Sequence, residues 1–251
     1  MKIIVDGLVT EYDDQGVGPT LLLLHGWKDS MNTFDPLVLS LSKHCRVIRL
    51  DLPGFGKTEP PHESWNLSDY VRFVSNFCVK LNISPNAIAG HSFGGRIAIK
   101  GISLGSFSPR RLILIASAGV GKRRTIRNTF YYILAKTGKV LIYIPPFLFY
   151  RTRLRRSLYR ITGGDYFESG SMKNIFLNII NEDLTMDAQQ VKASTLLVWG
   201  DQDEATPLPE GVRLSHLISG SKLEIIPGAS HFIHKEHPEK VAEFILKHMT
   251  L

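Results

Sequence analysis

The chain has 251 residues, of which 43% are hydrophobic and 21% are charged. This length supports one α/β domain with its own core or two small domains, and the composition excludes a disordered, collagen-like or coiled-coil chain. No run approaches the roughly 18 consecutive apolar residues of a membrane-spanning helix, and the N-terminal residues are too polar for a signal peptide. We therefore expect a soluble, cytoplasmic protein. Cys45 and Cys78 lack a CxxC spacing, so we expect both to be reduced.

The formal net charge of +7 is unevenly distributed along the chain. Residues 70–164 contain 17 Lys and Arg and no Asp or Glu. Within this segment, basic groups flank the apolar, aromatic run from Val140 to Tyr150. We interpret the segment as a helical lid with a solvated basic face, and contact with an anionic membrane is the alternative. Nucleic acid is not an expected partner, because no recognised nucleic-acid-binding module accompanies the charge.

Short apolar runs alternate with amphipathic stretches along most of the chain. The apolar runs predict buried strands at Thr20 to Leu24, Arg46 to Leu50, Asn86 to Ala89, Arg111 to Ile115, Thr195 to Trp199 and Lys222 to Ile226. The amphipathic stretches predict helices at Phe34 to Lys43, Ser68 to Leu81, Phe93 to Leu104, Leu208 to Ser219 and Pro238 to His248. Such alternation is typical of a mostly parallel sheet with helices on both faces. Residues Lys2 to Tyr12 predict an antiparallel hairpin at the sheet edge.

This alternation stops between about Gly119 and Gln190, where arginine-rich helical segments surround two adjacent prolines. The strand pattern resumes at Ser194. We predict that the first part of the core spans residues 1–118, that a helical insertion spans 119–190, and that the core is completed by 191–251.

A nucleophile motif follows the predicted strand that ends at Ala89. Residues Gly90 to Gly94 fit the pattern G-x-S-x-G, and a predicted helix comes next. A serine on a sharp strand-to-helix turn needs neighbours without side chains, because a Cβ there would collide with the turn. The sequence therefore predicts Ser92 as a nucleophile at the sheet edge.

A serine nucleophile requires a general base and a carboxylate that orients the base. Asp201 and Asp203 follow the predicted strand that ends at Trp199, and His231 follows the last predicted strand. Loops after parallel strands meet at one edge of the sheet, where active sites of open α/β sheets assemble. The chain order Ser, Asp, His is thus predicted to form a catalytic triad.

Five motifs in this order resemble those of the α/β-hydrolase fold superfamily, in its cap-bearing esterase, lipase and C–C hydrolase type. The motifs are His25-Gly26-Trp27, Asp51-Leu52-Pro53-Gly54-Phe55-Gly56, Gly90-His91-Ser92-Phe93-Gly94-Gly95, Trp199-Gly200-Asp201-Gln202-Asp203 and Gly228-Ala229-Ser230-His231 with Glu236-His237-Pro238. The resemblance covers the whole chain. It implies an α/β-hydrolase fold with a helical cap inserted before the strand that carries the acid, and it assigns the acid to Asp203.

The same resemblance implies an oxyanion hole formed by the backbone N–H groups of Trp27 and Phe93. We also assign substrate contacts to His25 and Gly26, in the loop after the first core strand. Tyr131 and Phe147 are assigned to an apolar pocket in the cap.

We predict neither a cofactor nor a metal site. The chain has no complete phosphate-binding loop, and no dinucleotide-binding glycine motif joins a strand to a helix. His231, His234 and His237 are spaced three residues apart, but neither H-E-x-x-H nor a Cys-His ligand spacing occurs.

These features predict a serine hydrolase that acts on a small-molecule carboxylic ester of short to medium acyl chain, or on a lactone. The alternatives are C–C hydrolysis of a diketone acid and a non-catalytic binding protein of the same fold. Nothing in the sequence fixes the oligomeric state.

Overall fold

A single mixed sheet organises the computed structural model, which describes residues 1–120 and 172–250. The strands are β1 (Lys2–Val5), β2 (Leu8–Gln15), β3 (Thr20–Leu24), β4 (Arg46–Leu50), β5 (Ala87–His91), β6 (Arg111–Ile115), β7 (Ser194–Gly200) and β8 (Lys222–Ile226). Their order across the sheet is β1-β2-β4-β3-β5-β6-β7-β8. β2 is antiparallel to both β1 and β4, and every other pair in this sheet is parallel.

Helices connect most of the parallel strands. The described helices are α1 (Asp35–Leu41), α2 (Leu67–Lys80), α3 (Phe93–Ser103), α4 (Lys173–Asn181), α5 (Thr185–Gln190), α6 (Leu208–Leu217), α7 (Ile233–Glu236) and α8 (Pro238–Thr250). A 3₁₀ turn at Met31–Phe34 leads into α1. A capping box fixes the start of α2, because the Asn66 side chain accepts from the Asp69 N–H and the Asp69 side chain accepts from the Asn66 N–H.

The central strands lie in the core, which explains their continuous apolar sequence. Leu21, Leu22, Leu23 and Leu24 in β3 are fully buried. In the sheet register Leu24 lies beside Leu50 on one side and Gly90 on the other. The carboxyl ends of β3, β4 and β5 are therefore level, and the loops that follow them start at one edge.

The chain separates into two compact units, Met1–Gly121 with Asn178–Leu251, and Lys122–Leu177. In the first unit, the Leu184 N–H donates to the Gly119 carbonyl at 2.9 Å. Arg96 of α3 donates to the carbonyl of Ile179 at 2.6 Å and to that of Glu182. These bonds fasten the chain where it returns to the sheet. The domain boundaries at 118 and 190 remain a prediction, because residues 121–171 lie outside the described part.

The predicted α/β class is confirmed, with a mostly parallel sheet flanked by helices. Each of the six predicted core strands is present, with ends that differ by no more than two residues from the predicted ones. Helix α7 was not predicted, because four residues are too few to display helical periodicity. No helix in residues 1–120 and 172–250 has the length and apolar character needed to cross a membrane.

Candidate active site

Ser92 lies at the sharp turn between β5 and α3. Its backbone has φ +48° and ψ −105°, a conformation that non-glycine residues seldom adopt. The Ser92 N–H donates to the Ile115 carbonyl at 3.1 Å, and the Ala118 N–H donates to the Ser92 carbonyl at 3.2 Å. These bonds to the end of β6 and the loop after it hold the strained turn at the edge of the sheet.

Two glycines allow the chain to turn so closely. A Cβ on Gly90 would lie 2.4 Å from backbone atoms of Gly94 and Gly95. A Cβ on Gly94 would lie 2.0 Å from the Leu24 carbonyl oxygen. Because both contacts are with backbone, no side-chain movement could relieve them. The requirement for glycine around Ser92 is therefore steric, as the motif predicts.

Asp203 and His231 form a hydrogen-bonded pair beyond the ends of β7 and β8. The His231 Nδ1–H donates to Asp203 Oδ2 at 2.9 Å, and the Asp203 side chain is fully buried. Asp203 Oδ1 accepts from the N–H groups of Ala205 and Thr206, each at 2.9 Å. Burial opposes ionisation of Asp203, but its bonds with His231 and Thr206 outweigh burial and lower its pKa. An ionised Asp203 keeps the proton on His231 Nδ1 and leaves Nε2 as the free base.

The other candidate acid, Asp201, bonds to a backbone turn and not to the base. Its side chain is exposed, and its Oδ1 accepts from the Gly228 N–H at 2.7 Å. Asp201 thus fastens the turn that precedes His231. The structure pairs Asp203, not Asp201, with the histidine.

His91 connects the nucleophile turn to the base. Its Nε2–H donates to the His231 carbonyl at 3.1 Å, and the two imidazole rings lie 4.7 Å apart. Among the described residues, no hydrogen bond joins the Ser92 hydroxyl to His231. Catalytic hydrogen bonds are often long in an unliganded site. The bond from His91 places Ser92 and His231 at the same edge of the sheet. Their assigned catalytic roles remain predictions.

The loop after β3 carries the predicted oxyanion donor Trp27. The Trp27 ring packs edge-on against Phe93, with centroids 5.4 Å apart. A Cβ on Gly26 would lie 3.5 Å from the Ser92 Cβ, so this loop runs directly beside the nucleophile. As the first residue of α3, Phe93 has an N–H without a partner inside its helix. Both residues lie beside the Ser92 turn, and their roles as oxyanion donors remain predictions.

His25 holds this loop from within the core. Its Nδ1–H donates to the Gly26 carbonyl at 2.7 Å, and its Nε2 accepts from the Leu52 N–H at 2.9 Å. Burial lowers the pKa of His25 and keeps the ring neutral. Both nitrogens are thus used to join the loops after β3 and β4, and substrate contacts for His25 and Gly26 stay predictions. Tyr131 and Phe147 lie outside the described residues.

Thr206 was missed by the sequence analysis. Its hydroxyl lies 2.8 Å from Asp203 Oδ2, 3.0 Å from the Ala116 carbonyl and 3.2 Å from His231 Nδ1. Both of these oxygens can only accept, so the single hydroxyl proton of Thr206 is shared between the Asp203 carboxylate and the Ala116 carbonyl directly after β6. Its position three residues after Asp203 is a spacing at which a side chain can return to an aspartate.

Glu236 fixes the loop that carries His231. Its carboxylate accepts from the Ser230 N–H at 2.8 Å and from the Ser230 hydroxyl. These bonds lower the pKa of Glu236. The loop is thereby tied to α7, directly after the residue assigned as the base.

Comparison with known proteins agrees with this architecture. Residues 21–244 match the alpha/beta hydrolase family. A 2-hydroxy-6-oxo-6-(2'-aminophenyl)hexa-2,4-dienoic acid hydrolase from Metapseudomonas resinovorans is 24% identical, over 97% of this chain and 88% of its own length. A 2-hydroxy-6-oxononadienedioate/2-hydroxy-6-oxononatrienedioate hydrolase from Escherichia coli is 25% identical, over 95% of this chain and 90% of its own.

A solved structure of a membrane phospholipase A, titled a bacterial virulence factor, superposes with a TM-score of 0.78 at 25% identity. The superposition covers 100% of this chain and 85% of that one. The match to the family spans most of the chain, in agreement with the sheet order and the turn at Ser92. The chain therefore belongs to the alpha/beta hydrolase family and is a hydrolase.

Proposed function

We propose that the protein is a serine hydrolase that cleaves carboxylic esters of short to medium acyl chain through an acyl-enzyme on Ser92. The observation that carries the proposal is the buried Asp203–His231 hydrogen bond at the sheet edge that also bears the Ser92 turn. A carboxylate, an imidazole and a strained serine in this order are the parts of a nucleophilic acyl-transfer site.

In the proposed reaction, His231 Nε2 takes the hydroxyl proton of Ser92 as Oγ bonds to the ester carbonyl carbon. The N–H groups of Trp27 and Phe93 stabilise the oxyanion. The C–O bond to the alcohol then breaks, and His231 returns the proton to the departing oxygen. A water molecule, deprotonated by His231, attacks the acyl-enzyme, releases the acid and restores the serine hydroxyl.

The aromatic surroundings of the oxyanion loop support an apolar acyl group. Trp27 packs against Phe55 with centroids 4.8 Å apart, and Phe93 packs against Tyr70 at 5.0 Å. Interlocked rings form a rigid apolar wall, which favours a hydrocarbon chain over a charged one. Lactones are cyclic esters and would react by the same steps.

C–C bond hydrolysis is the second candidate. Both curated relatives described above are named as hydrolases of 2-hydroxy-6-oxo dienoic acids, and they cover nearly the whole chain. In such a substrate the leaving group is a carbon, which must receive a proton before the bond breaks. The substrate carboxylate would need a cation, and we assign that role to an arginine of the basic segment 122–160.

Two substrates separate these candidates. The first is a series of p-nitrophenyl esters from acetate to palmitate, and the second is a 2-hydroxy-6-oxo-hexa-2,4-dienoic acid. We expect ester hydrolysis with an optimum at short to medium chain length, and its loss in Ser92→Ala. Ser215→Ala in α6 serves as the control for removal of a serine hydroxyl. Turnover of the dienoic acid without ester turnover would replace the proposal with the second candidate.

Labelling with a fluorophosphonate probe tests the nucleophile independently of substrate choice. We expect the wild type to be labelled and Ser92→Ala to remain unlabelled. A folded wild type that neither reacts with the probe nor turns over either substrate would contradict an enzymatic role and favour a binding protein.

Contact of the basic segment 122–160 with an anionic membrane is a separate proposal. The segment lies outside the described residues, so the support is its charge and its apolar run. We expect co-sedimentation with anionic vesicles and none with zwitterionic vesicles. Equal recovery in the supernatant with both would contradict it.

A further inference from the structure

Three buried, unpaired side-chain atoms belong to residues that lie together beside the candidate base. They are Asp29 Oδ2 in the loop after β3, His91 Nδ1 at the end of β5 and His234 Nδ1 in α7. None of them has a hydrogen-bond partner among residues 1–120 and 172–250. One ligand atom from each residue lies within 4.8 Å of the others. Unpaired buried polar atoms are costly, so three that converge require a shared partner.

Each of the three side chains is fixed by its other polar atom. His91 Nε2–H donates to the His231 carbonyl, and His234 Nε2 lies 2.8 Å from the Thr33 hydroxyl. Asp29 Oδ1 accepts from the Ser30 N–H at 2.9 Å. Such outer bonds set the orientation of imidazole and carboxylate ligands in metal sites. The free atoms are thus directed by the fold toward one small space.

The available protons indicate what can occupy that space. The carbonyl of His231 can only accept, so His91 carries its proton on Nε2 and presents a lone pair at Nδ1. The Asp29 carboxylate also presents only lone pairs. His234 presents a third lone pair, at Nδ1, when its Nε2–H donates to the Thr33 hydroxyl. Burial lowers the pKa of His91 and that of His234, the latter to about 3, so both rings remain neutral. Neutral imidazoles with a carboxylate are the ligands of a transition-metal cation.

We propose that Asp29, His91 and His234 form a buried site for one divalent transition-metal cation of the Zn²⁺ class. Ligand atoms around Zn²⁺ at about 2.0–2.1 Å lie about 3.3 Å apart in a tetrahedral site. Binding would therefore draw the three side chains inward, with a water molecule as the fourth ligand.

The site is coupled to the candidate base. Because His91 is bonded to the His231 backbone, an inward movement of His91 shifts the loop that carries His231. Bound metal thus inhibits the reaction, a consequence that rests on the proposed function. The metal site itself does not depend on that function.

A single water molecule is the competing occupant. It could donate to His91 Nδ1 and Asp29 Oδ2 and accept from His234 Nδ1–H in the other tautomer. The Lys235 ammonium lies 3.8 Å from the other Asp29 oxygen and offsets part of the carboxylate charge. We favour the cation because two neutral imidazoles and a carboxylate are its preferred ligands, whereas a water needs a different tautomer of His234.

The test uses the full-length protein after dialysis against a chelator. Zn²⁺ binding is measured by calorimetry, and Co²⁺ binding by the visible absorption of a tetrahedral site. We expect one ion per chain in the wild type. Asp29→Asn and His234→Gln should each weaken binding by at least about tenfold. His237→Gln, which removes an exposed histidine three residues from His234, is the control and should bind as the wild type does.

Inhibition is measured separately, as the rate of fluorophosphonate labelling of Ser92 with Zn²⁺ and after addition of EDTA. We expect slower labelling that EDTA reverses in the wild type and in His237→Gln, but not in Asp29→Asn or His234→Gln. These variants retain His231, so direct binding to the base would leave their inhibition intact. Absence of Zn²⁺ and Co²⁺ binding to the folded wild type, or equal binding by all variants, would overturn the proposal in favour of a water only.

Discussion

The nucleophile side of the site is held by backbone packing, whereas the acid and base side is held by side-chain hydrogen bonds. Around Ser92, the chain approaches itself so closely that Gly90 and Gly94 have no room for a Cβ. Around His231, the fixed positions come from the Asp203 carboxylate and the Thr206 hydroxyl. The turn at Ser92 should therefore be sensitive to added volume at Gly90 and Gly94, and the acid and base should be sensitive to changes of polarity at constant volume.

Asp203→Asn tests the polar side most severely. The amide retains the shape but favours the wrong histidine tautomer, so we expect kcat to fall by about 10⁴-fold on any substrate that is turned over. Asp201→Asn is the matched control, and its kcat should fall less than about tenfold, since it only loosens a turn. Steady-state kinetics of both variants provide the measurement. A larger loss in the Asp201 variant would reverse the assignment of the acid.

Gly94→Ala tests the packed side. Its methyl group would overlap the Leu24 carbonyl, and we expect a loss of about 3 kcal/mol or more in the free energy of unfolding. Gly228→Ala is the control on the polar side, because Gly228 has φ +75° but open space around it. Its cost should be about 1 kcal/mol. Urea titration compares the two, and equal costs would mean that the chain around Gly94 relaxes to accommodate the added methyl group.

Thr206→Val removes one hydroxyl at nearly constant volume. Asp203 loses a donor, so its pKa should rise, and we expect kcat/KM to fall by about tenfold. The pH profile of kcat/KM records the change, and Thr206→Ser should restore most of the activity. A valine variant with the activity and pH profile of the wild type would show that the threonine has no part in positioning the acid and base.

The buried histidines act through the pH dependence of stability. His234 has a folded pKa of about 3, below the usual 6.5. Between these values the unfolded chain takes up a proton that the folded chain does not, so stability falls as the pH decreases from 6.5. Protonation of His234 changes the free energy of unfolding by at most about 1.4 kcal/mol per pH unit.

Urea midpoints from pH 7 to pH 4, measured with EDTA, should decrease less steeply in His234→Gln than in the wild type. His237→Gln is the control. Parallel curves for the wild type and His234→Gln would show that His234 takes up its proton over the same pH range in the folded and unfolded states.

The sequence predicted those parts of the molecule that depend on local pattern. The apolar runs identified β3 to β8. Strands β3 to β7 are buried along almost their whole length and have no polar alternation, whereas β8, predicted to be buried, lies at the sheet edge and is mostly exposed or half-buried. The G-x-S-x-G pattern located the turn at Ser92, because the steric requirement acts between neighbours in the chain.

Contacts between distant segments could not be predicted in this way. Thr206 reaches Ala116 across 90 residues, and Asp29 meets His234 across an even longer separation. No spacing rule connects such residues, since only the sheet order brings them together. The short helix α7 was missed for a different reason, because its four residues make little more than one turn and show no repeat of the helical pattern.

The hydrogen bond between Gly119 and Leu184 has a consequence for how this chain could diversify. The 64 residues between these two positions leave and re-enter the sheet at a single bonded pair. A segment with adjacent ends can be lengthened, shortened or exchanged without moving the strands that flank it. Substrate range could therefore change by replacement of the intervening residues while the serine, acid and histidine remain where they are.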